Sequence, residues 1–153
     1  MQSDKPNPPS FYLNIHTADP EAGLAFYTAI GFTHIKEYSD DKTKAFRLPE
    51  PNQTICLMIH ANARFKEFIR SGTQIVDATK TTEALFSIAV ESKQSVDIEV
   101  TKAVEAGGIA DPYMLPNYGS ECGMYTRSFA DLDGHMWELV AMVGSCGENK
   151  QNC

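Results

Sequence analysis

Apolar and polar residues alternate along this chain in a plan that occurs twice. In the first half, a strand at 11–16 precedes a helix that begins at Asp19-Pro20, an N-cap followed by proline in the first turn. Gly31 ends this helix, as a left-handed cap does. The apolar positions of the helix recur at helical spacing: Ala22, Ala25, Phe26, Ala29 and Ile30. Three more strands follow, and they are predicted at 32–38, 45–48 and 54–60.

The second half repeats this order after a connector in which apolar residues predict a short helix. A strand at 85–90 precedes a second helix, which is closed by Gly107-Gly108. Short strands are predicted around Ile109 and at 124–130 and 135–142. The positions of the second helix predicted to face inward are Val96, Val100, Ala103 and Val104. The two halves share little sequence identity, so the repeat is one of pattern.

Composition narrows the class of partner. The chain has 153 residues, which suits one domain or two fused half-size modules. Its net charge of -7 and pI near 5.0 argue against nucleic acid or an anionic membrane, because both require clustered lysine and arginine. No apolar run approaches the roughly 20 residues that span a bilayer. A small molecule is therefore the predicted partner.

The ends and the cysteines of the chain favour a cytoplasmic protein. Residues 1–10 are polar and rich in proline, unlike a signal peptide, and are predicted to be disordered. The tail, 144–153, is predicted to be flexible. The spacing of the four cysteines fits no zinc site, and at this size in the cytoplasm we expect reduced thiols.

One charged residue, Glu138, lies inside an otherwise apolar predicted strand. Burying an unpaired charge is costly, so this carboxylate either faces solvent, or pairs with a metal or a cation such as Arg127, or stays protonated with a raised pKa for chemistry. The preceding segment, 131–134, predicts a tight hairpin turn whose glycine has a positive φ. His135 and Trp137 alternate with Glu138 and are predicted to be structural, with the indole packed under a helix.

Three segments together carry a family resemblance. They are Phe26-Tyr27 before Gly31-Phe32, the helix end at 106–108, and Phe129-Ala-Asp-Leu-Asp-Gly-His-Met-Trp-Glu138. In order and spacing they resemble the vicinal oxygen chelate superfamily, which includes glyoxalase I, bleomycin-resistance proteins and extradiol dioxygenases. The resemblance covers 11–143 and implies an α+β fold in which paired βαβββ modules, at about 11–60 and 83–143, form a curled mixed sheet around a cleft.

The metal site of the resembling proteins transfers poorly to this chain. Their ligands lie on the first and last strands of each module, and these positions fall near Tyr12, Cys56, Leu85 and Glu138. Of these four residues only Glu138 is a conventional ligand, whereas such metals need three or four histidine or carboxylate donors. We therefore predict no metal and no other cofactor. The open alternative is a divalent metal held by His16, His60 and Glu138.

Strand alternation predicts which side chains share the cleft with Glu138. Residues two and four positions beyond Tyr12 point to its side, and the same argument gives a row on each of two later strands. Tyr12 and His16 are the predicted catalytic partners of Glu138. The predicted substrate-binding residues are Asn14, Cys56, Met58, His60, Leu85 and Ser87. The alternative for His16 and His60 is a plain position at the surface end of a strand.

Two functions from different classes follow. The first is a metal-independent isomerase or lyase, in which Glu138 moves a proton on a carbonyl-containing or aromatic metabolite while Tyr12 or His16 polarises the oxygen. The second is a binding protein that resembles the antibiotic-resistance members and sequesters an antibiotic or toxin without turnover. A carboxylate in an apolar strand costs stability, and a passive binding pocket does not require that cost, so the enzyme is favoured. The resemblance also implies a homodimer.

Overall fold

The chain divides into two compact units in the computed structural model, which describes residues 7–115 and 119–144. The first unit is Met1–Thr73 and the second is Gln74–Cys153. The predicted disordered segment, 1–10, and the predicted tail, 144–153, fall largely outside the described residues. At the edge of the described part, the Ser10 backbone amide donates a hydrogen bond to Thr54 O at 2.7 Å.

Unit 1 contains one four-stranded mixed sheet with the strand order β1-β4-β3-β2. The first and last strands, β1 and β4, pair in parallel, and β3 pairs antiparallel with both β4 and β2. Its elements are β1 (Phe11–Thr17), α1 (Pro20–Ala29), β2 (Thr33–His34), β3 (Thr43–Arg47), β4 (Ile55–Ala61) and the short helix α2 (Asn62–Phe65).

Unit 2 repeats this arrangement with the strand order β5-β8-β7-β6. The outer and last strands, β5 and β8, are again parallel, and β7 is antiparallel to its two neighbours. Its elements are β5 (Leu85–Ala89), α3 (Lys93–Glu105), β6 (Ile109–Ala110), β7 (Met124–Ala130) and β8 (Met136–Met142). Both units have the order βαβββ, so the predicted α+β class with paired βαβββ modules is confirmed.

Helix α1 begins and ends where the sequence predicts, and its buried face matches the predicted apolar positions in part. The Asp19 carboxylate accepts hydrogen bonds from the Glu21 and Ala22 amides, and Gly31 follows the helix at φ +92°. Of the apolar residues at helical spacing, Phe26 and Ile30 are buried, whereas Ala25 and Ala29 are exposed. The buried positions are Gly23, Phe26, Tyr27 and Ile30. A Cβ at Gly23 would come within 2.3 Å of Ile59 Cδ1, so the absent side chain lets the helix lie close to the sheet.

The predicted strand at 32–38 is shorter in the structure. It comprises the two residues of β2, followed by a 3₁₀ turn at Lys36–Tyr38. The Ser39 hydroxyl donates to Ile35 O and accepts from the Ala45 amide, at 2.8 and 3.0 Å. Because this side chain takes up backbone groups that a longer strand would pair, the chain turns away from the sheet after Ile35.

The core of unit 2 forms between α3 and one face of its sheet. Trp137 is fully buried, with its ring centroid 5.0 Å from that of Phe86 and 6.2 Å from that of Phe129. The predicted inward residues of α3 are buried except Val104, which is 47% exposed. The prediction that Trp137 packs under a helix is therefore confirmed, and every second residue of β8, including Glu138, faces the other way.

The cysteines differ from the prediction of four reduced thiols. Cys56 is a buried free thiol, as expected for a residue of the core. Cys122 is disulfide-bonded, so the prediction is wrong for that residue. Cys146 and Cys153 lie outside the described residues.

No helix among the described residues has the length and apolar character needed to cross a bilayer. The longest of them, α3, has 13 residues.

The hairpin turn at Gly134 yields a stability prediction. Gly134 has φ +94°, and a Cβ there would lie 2.7 Å from Thr79 N and 2.8 Å from Ala78 C, both backbone atoms. Gly134→Ala should therefore add a backbone clash to the strain of a left-handed residue and lower the free energy of unfolding by about 3 kcal/mol. Urea denaturation measures this loss.

The control is Gly107→Ala in the same unit. Gly107 also has a positive φ, +101°, but a Cβ there would meet only the mobile end of Leu132, at 3.2 Å. We expect a loss of about 1 kcal/mol, the strain alone. Equal losses for the two variants would show that the close approach at Gly134 is not restrictive.

Candidate active site

Glu138 lies on the face of the unit 2 sheet that points away from α3. Strand pairing places it opposite Ser87 of β5 on one side and Ser128 of β7 on the other. Its exposure is only 7%. The sequence prediction that this carboxylate lies within an apolar strand is thus matched by burial, with a small polar residue on each neighbouring strand.

Two hydroxyl groups donate to the buried carboxylate. Ser87 Oγ donates to Glu138 Oε2 at 2.5 Å, and Tyr113 Oη donates to Glu138 Oε1 at 3.3 Å. Hydrogen bonds to an ionised acceptor are stronger than neutral ones and offset part of the cost of burial. Glu138 therefore has one close partner on β5 and one longer contact to the segment that follows β6.

Arg127 does not pair with Glu138, so the alternative of an ion pair between them is wrong. Strand alternation directs Arg127 to the α3 side of β7, where Nη1 lies 3.0 Å from Asp97 Oδ1 and Nη2 lies 2.7 Å from Asp111 Oδ2. The hydrogen bonds that Arg127 donates to Asp111 and then to Asp97 raise its pKa. Burial opposes the shift at Asp97, but hydrogen bonds from Tyr125 and Arg127 outweigh it and lower the pKa of Asp97.

A pocket of about 380 Å³ is formed by β7 and the segment that follows β6. It lies within unit 2, where β6 pairs with β7 only at Phe129 and Ala130 and leaves the rest of that edge to the following segment. Two tyrosines, a methionine and a leucine make up half of its lining residues, and polar or charged side chains make up the other half. The lining residues are Asp111, Tyr113, Met114, Leu115, Tyr125, Thr126, Arg127 and Ser128.

Tyr113 connects this pocket with the carboxylate. It lines the pocket, and its hydroxyl donates to Glu138. Its carbonyl oxygen accepts a hydrogen bond from Ser128 Oγ at 3.3 Å, which ties the same residue to β7. A molecule in the pocket would meet the Tyr113 side chain, behind which Glu138 lies.

In unit 1 the register places the predicted residues of β1 and β4 on one face. Tyr12 lies opposite Cys56, Asn14 opposite Met58, and His16 opposite His60. The buried residues Ile15 and Ile59 point to the α1 side instead. Leu85, Ser87 and Glu138 belong to unit 2, so the nine predicted site residues are divided between the two units. Their roles toward a ligand stay predictions.

His60 is the most constrained of these residues. Its Nε2 donates to Asn14 Oδ1 at 2.9 Å, and its Nδ1 lies 2.8 Å from the Thr43 hydroxyl. The rings of Phe65 and Phe68 lie 6.3 and 5.1 Å from the imidazole. Burial, with the nearby Arg64 cation, lowers the pKa of His60. The alternative that His60 ends its strand at the surface is wrong, since it is 4% exposed.

The other predicted residues of unit 1 differ in accessibility. Tyr12 is 44% exposed, and partial burial and then the adjacent Tyr38 raise the pKa of its hydroxyl, which is therefore protonated at neutral pH. Burial raises the pKa of the Cys56 thiol, so it is not a thiolate nucleophile. His16 is half-buried, with its ring 5.8 Å from that of Phe65.

The described residues do not fit the metal centre of the resembling proteins. Within 7–115 and 119–144, no three side chains of His, Cys, Asp or Glu cluster as ligands would. Both nitrogens of His60 and both oxygens of Glu138 already take part in hydrogen bonds. That the protein carries no metal stays a prediction.

Sequence reasoning missed Tyr113, Asp111 and Ser128. Tyr113 and Asp111 lie next to Pro112, in a segment that the sequence identifies only as a break between strands. Ser128 was open to prediction, because alternation from a correct hairpin register places it beside Glu138. A long-range contact such as that of Tyr113 leaves no periodic signal in the sequence.

His60 yields a prediction for stability against pH. Its pKa in the folded chain lies below the ordinary value of about 6.5, so the unfolded chain binds a proton that the folded one does not. The stability that neutral His60 contributes is fully present above the unfolded pKa of about 6.5. It is lost as the pH falls from there through the lower pKa of the folded chain. His60→Gln should flatten the loss of unfolding free energy between about pH 7 and 5. Denaturant titrations at several pH values measure it, and an unchanged slope would contradict the assignment.

Comparison with known proteins supports the fold. No family model and no curated protein matches the sequence. Among solved structures, a hypothetical protein, SA1046, from S. aureus is 27% identical with a TM-score of 0.66, over 86% of this chain and 92% of that one.

Two further structures carry family names. A glyoxalase/bleomycin resistance protein/dioxygenase family enzyme from Burkholderia phytofirmans is 21% identical, with a TM-score of 0.64 over 86% of this chain and 97% of that one. A lactoylglutathione lyase from Agrobacterium tumefaciens is 17% identical, with a TM-score of 0.59 over 88% and 96%. This chain thus has the glyoxalase/bleomycin resistance protein/dioxygenase fold, and the fold that the resemblance to the vicinal oxygen chelate superfamily implies is confirmed.

Proposed function

We propose that the protein is a metal-independent enzyme of the isomerase or lyase type, which transfers a proton on a carbonyl-containing or aromatic metabolite. The observation that carries the proposal is the hydrogen bond from Tyr113, which lines the pocket, to the buried Glu138. A carboxylate behind a pocket-lining hydroxyl is an arrangement suited to general acid–base chemistry.

The proton can move in one concerted step. The Tyr113 oxygen takes a proton from the carbon next to a ligand carbonyl, while its own proton passes to Glu138 Oε1. The negative charge then moves from the carboxylate to the enolate oxygen of the ligand, and no other reactant is consumed. The contact is 3.3 Å long, and catalytic hydrogen bonds often shorten only in the substrate complex.

Ser87 acts in this scheme as a support. Its hydroxyl holds Glu138 Oε2 and leaves Oε1 directed to Tyr113. Tyr12 and His16, the predicted polarising groups, belong to unit 1, and that role stays a prediction. A homodimer and a cytoplasmic location also stay predictions.

The second candidate is a binding protein without turnover. Met114 and Leu115 are 75% and 58% exposed, and Tyr113 and Tyr125 line the same pocket. Exposed apolar groups beside aromatic rings suit the retention of a flat ligand such as an antibiotic or toxin. This function needs no proton transfer, so a measurement of turnover distinguishes the two candidates.

The first prediction of this proposal concerns metal. Protein purified without chelator should contain clearly substoichiometric zinc, nickel, iron and manganese, because the positions that ligate metal in the resembling proteins hold Tyr12, Cys56 and Leu85 beside Glu138. EDTA should leave the melting temperature unchanged. Elemental analysis and calorimetry test this, and one tightly bound transition metal per chain would overturn it.

The second prediction concerns Glu138 and uses 2-hydroxyacetophenone, an aromatic ketone with exchangeable protons beside its carbonyl. In D₂O, the wild-type protein should accelerate the exchange of these protons, followed by NMR. Glu138→Gln keeps the shape of the side chain but removes the proton acceptor, so the rate should fall at least ~100-fold. Stability at neutral pH should hold or rise, because the site no longer buries a charge.

Two further variants bracket this result. Glu91→Gln makes the same chemical change at an exposed position of unit 2 and should keep the wild-type rate. Tyr113→Phe keeps the ring but removes the hydroxyl, and should slow exchange about as much as Glu138→Gln. A destabilised but fully active Glu138→Gln protein would end the catalytic proposal. Binding of the ketone without exchange by the wild type would favour the sequestering protein.

A further inference from the structure

The segment that carries Tyr113 begins at a strained residue, Asp111. Its φ is +46°, and it is the only non-glycine residue with a positive φ within 7–115 and 119–144. Side chains with a Cβ disfavour this left-handed region, and the following proline favours extended backbone at this position. Such a conformation persists where surrounding contacts hold it, and it marks positions of functional interest.

The carboxylate of Asp111 supplies one of these contacts. It forms a two-point ion pair with Arg127, with Oδ2 2.7 Å from Nη2 and Oδ1 3.3 Å from Nε. The Asp111 amide also donates to Ser128 O at 2.8 Å. Both contacts go to β7, so backbone and side chain attach the same residue to the same strand.

Arg127 is itself fixed from the opposite side. Its Nη1 donates to Asp97 Oδ1 on α3 at 3.0 Å, and that oxygen also accepts from the Tyr125 hydroxyl at 2.8 Å. Lys93 Nζ lies 4.7 Å from the centre of the Tyr125 ring. A continuous set of charged contacts thus runs from α3 through Arg127 to Asp111. We call Asp97, Arg127 and Asp111 the charged clamp.

The ion pairs of the charged clamp are stronger than the hydrogen bonds that hold Tyr113 to Ser128 and Glu138. Two residues after Asp111, Tyr113 reaches Ser128 and Glu138 through hydrogen bonds of 3.3 Å each, at the long end of the range. Charge-assisted two-point contacts are about twice as strong as neutral single ones. The position of the Tyr113 hydroxyl therefore depends on where Asp111 directs the chain.

We infer that Asp111 is a positioning residue, whose ion pair with Arg127 holds the left-handed turn that brings the Tyr113 hydroxyl to Glu138. The inference deepens the proposed function and rests on it for its catalytic consequence, but the placement of Tyr113 can be measured separately. Glycine would adopt this backbone conformation without strain, and it offers no carboxylate. The presence of aspartate instead is accounted for by the ion pair.

The test uses protein labelled with 3-fluorotyrosine, in which the ¹⁹F resonance of Tyr113 is assigned by its loss in Tyr113→Phe. Asp111→Asn tolerates the left-handed region but loses the charge. It should move the Tyr113 resonance towards that of free fluorotyrosine and speed amide exchange at 113–115 about tenfold or more. Asp77→Asn is the control, because it removes a surface ion-pair carboxylate of the same unit and should change neither.

Two more variants separate charge from backbone. Asp111→Gly relieves the strain without restoring the charge, so its Tyr113 resonance should match that of Asp111→Asn. Arg127→Lys keeps a cation but loses the two-point contact, and should give an intermediate position even if Asp111→Asn does not fold. A wild-type resonance in Asp111→Asn, Asp111→Gly or Arg127→Lys would overturn the inference.

The catalytic consequence is measured with 2-hydroxyacetophenone. In Asp111→Asn the exchange rate at saturation should fall about tenfold, while the dissociation constant changes less, because the Tyr113 hydroxyl is misplaced and the pocket wall persists. A displaced ¹⁹F resonance with no exchange by the wild-type protein would leave Asp111 as a positioning residue and reject the proposed function instead. A displaced resonance with an undiminished rate would reject the role of Asp111 in catalysis.

Discussion

Each unit depends on the parallel pairing of its first and last strands. In this pairing, residues that lie opposite one another point to the same side of the sheet, so the register decides which polar groups share a face. One face is taken by the helix, which packs on the aromatic and aliphatic core. Titratable residues of the last strand can then lie only on the other face, beside the side chains of the first strand. A shift of one residue would place Glu138 under α3 and Trp137 in the site.

The same constraint explains why a carboxylate is tolerated in β8. Glu138 lies between β5 and β7 on the face opposite α3, and it is buried there. Its partners must then come from the neighbouring strands or from a segment that crosses them. Ser87 meets this need from β5. The segment after β6 meets it through Tyr113, and that segment is itself held by the ion pair between Asp111 and Arg127 of β7, which also pairs with Asp97 of α3.

The sequence was sufficient for the fold but only for part of the site. Caps, glycines and strand alternation are local, and they predicted both βαβββ units, the start of α1 and the burial of Trp137 correctly. The apolar spacing in α1 identified Phe26 and Ile30 correctly but not Gly23, whose burial depends on its close approach to Ile59, a tertiary contact. The disulfide at Cys122 was missed for the same kind of reason, since pairing requires proximity in space. Tyr113 and Asp111 act through a backbone turn beside Pro112, and nothing in the pattern of apolar residues indicates such a turn.

The two units share one hydrogen-bond arrangement around different titratable residues. In each unit, a titratable residue of the last strand forms a hydrogen bond with a residue of the first strand. His60 donates to Asn14 in unit 1, and Glu138 accepts from Ser87 in unit 2. A second group then binds it from another direction, Thr43 for the imidazole and Tyr113 for the carboxylate. The two units differ in whether this second group also lines a pocket. Thr43 and Asn14 occupy both nitrogens of His60, and burial lowers the pKa of this histidine. Tyr113 instead lines a pocket, so one hydrogen bond joins the carboxylate of unit 2 to a pocket-lining hydroxyl.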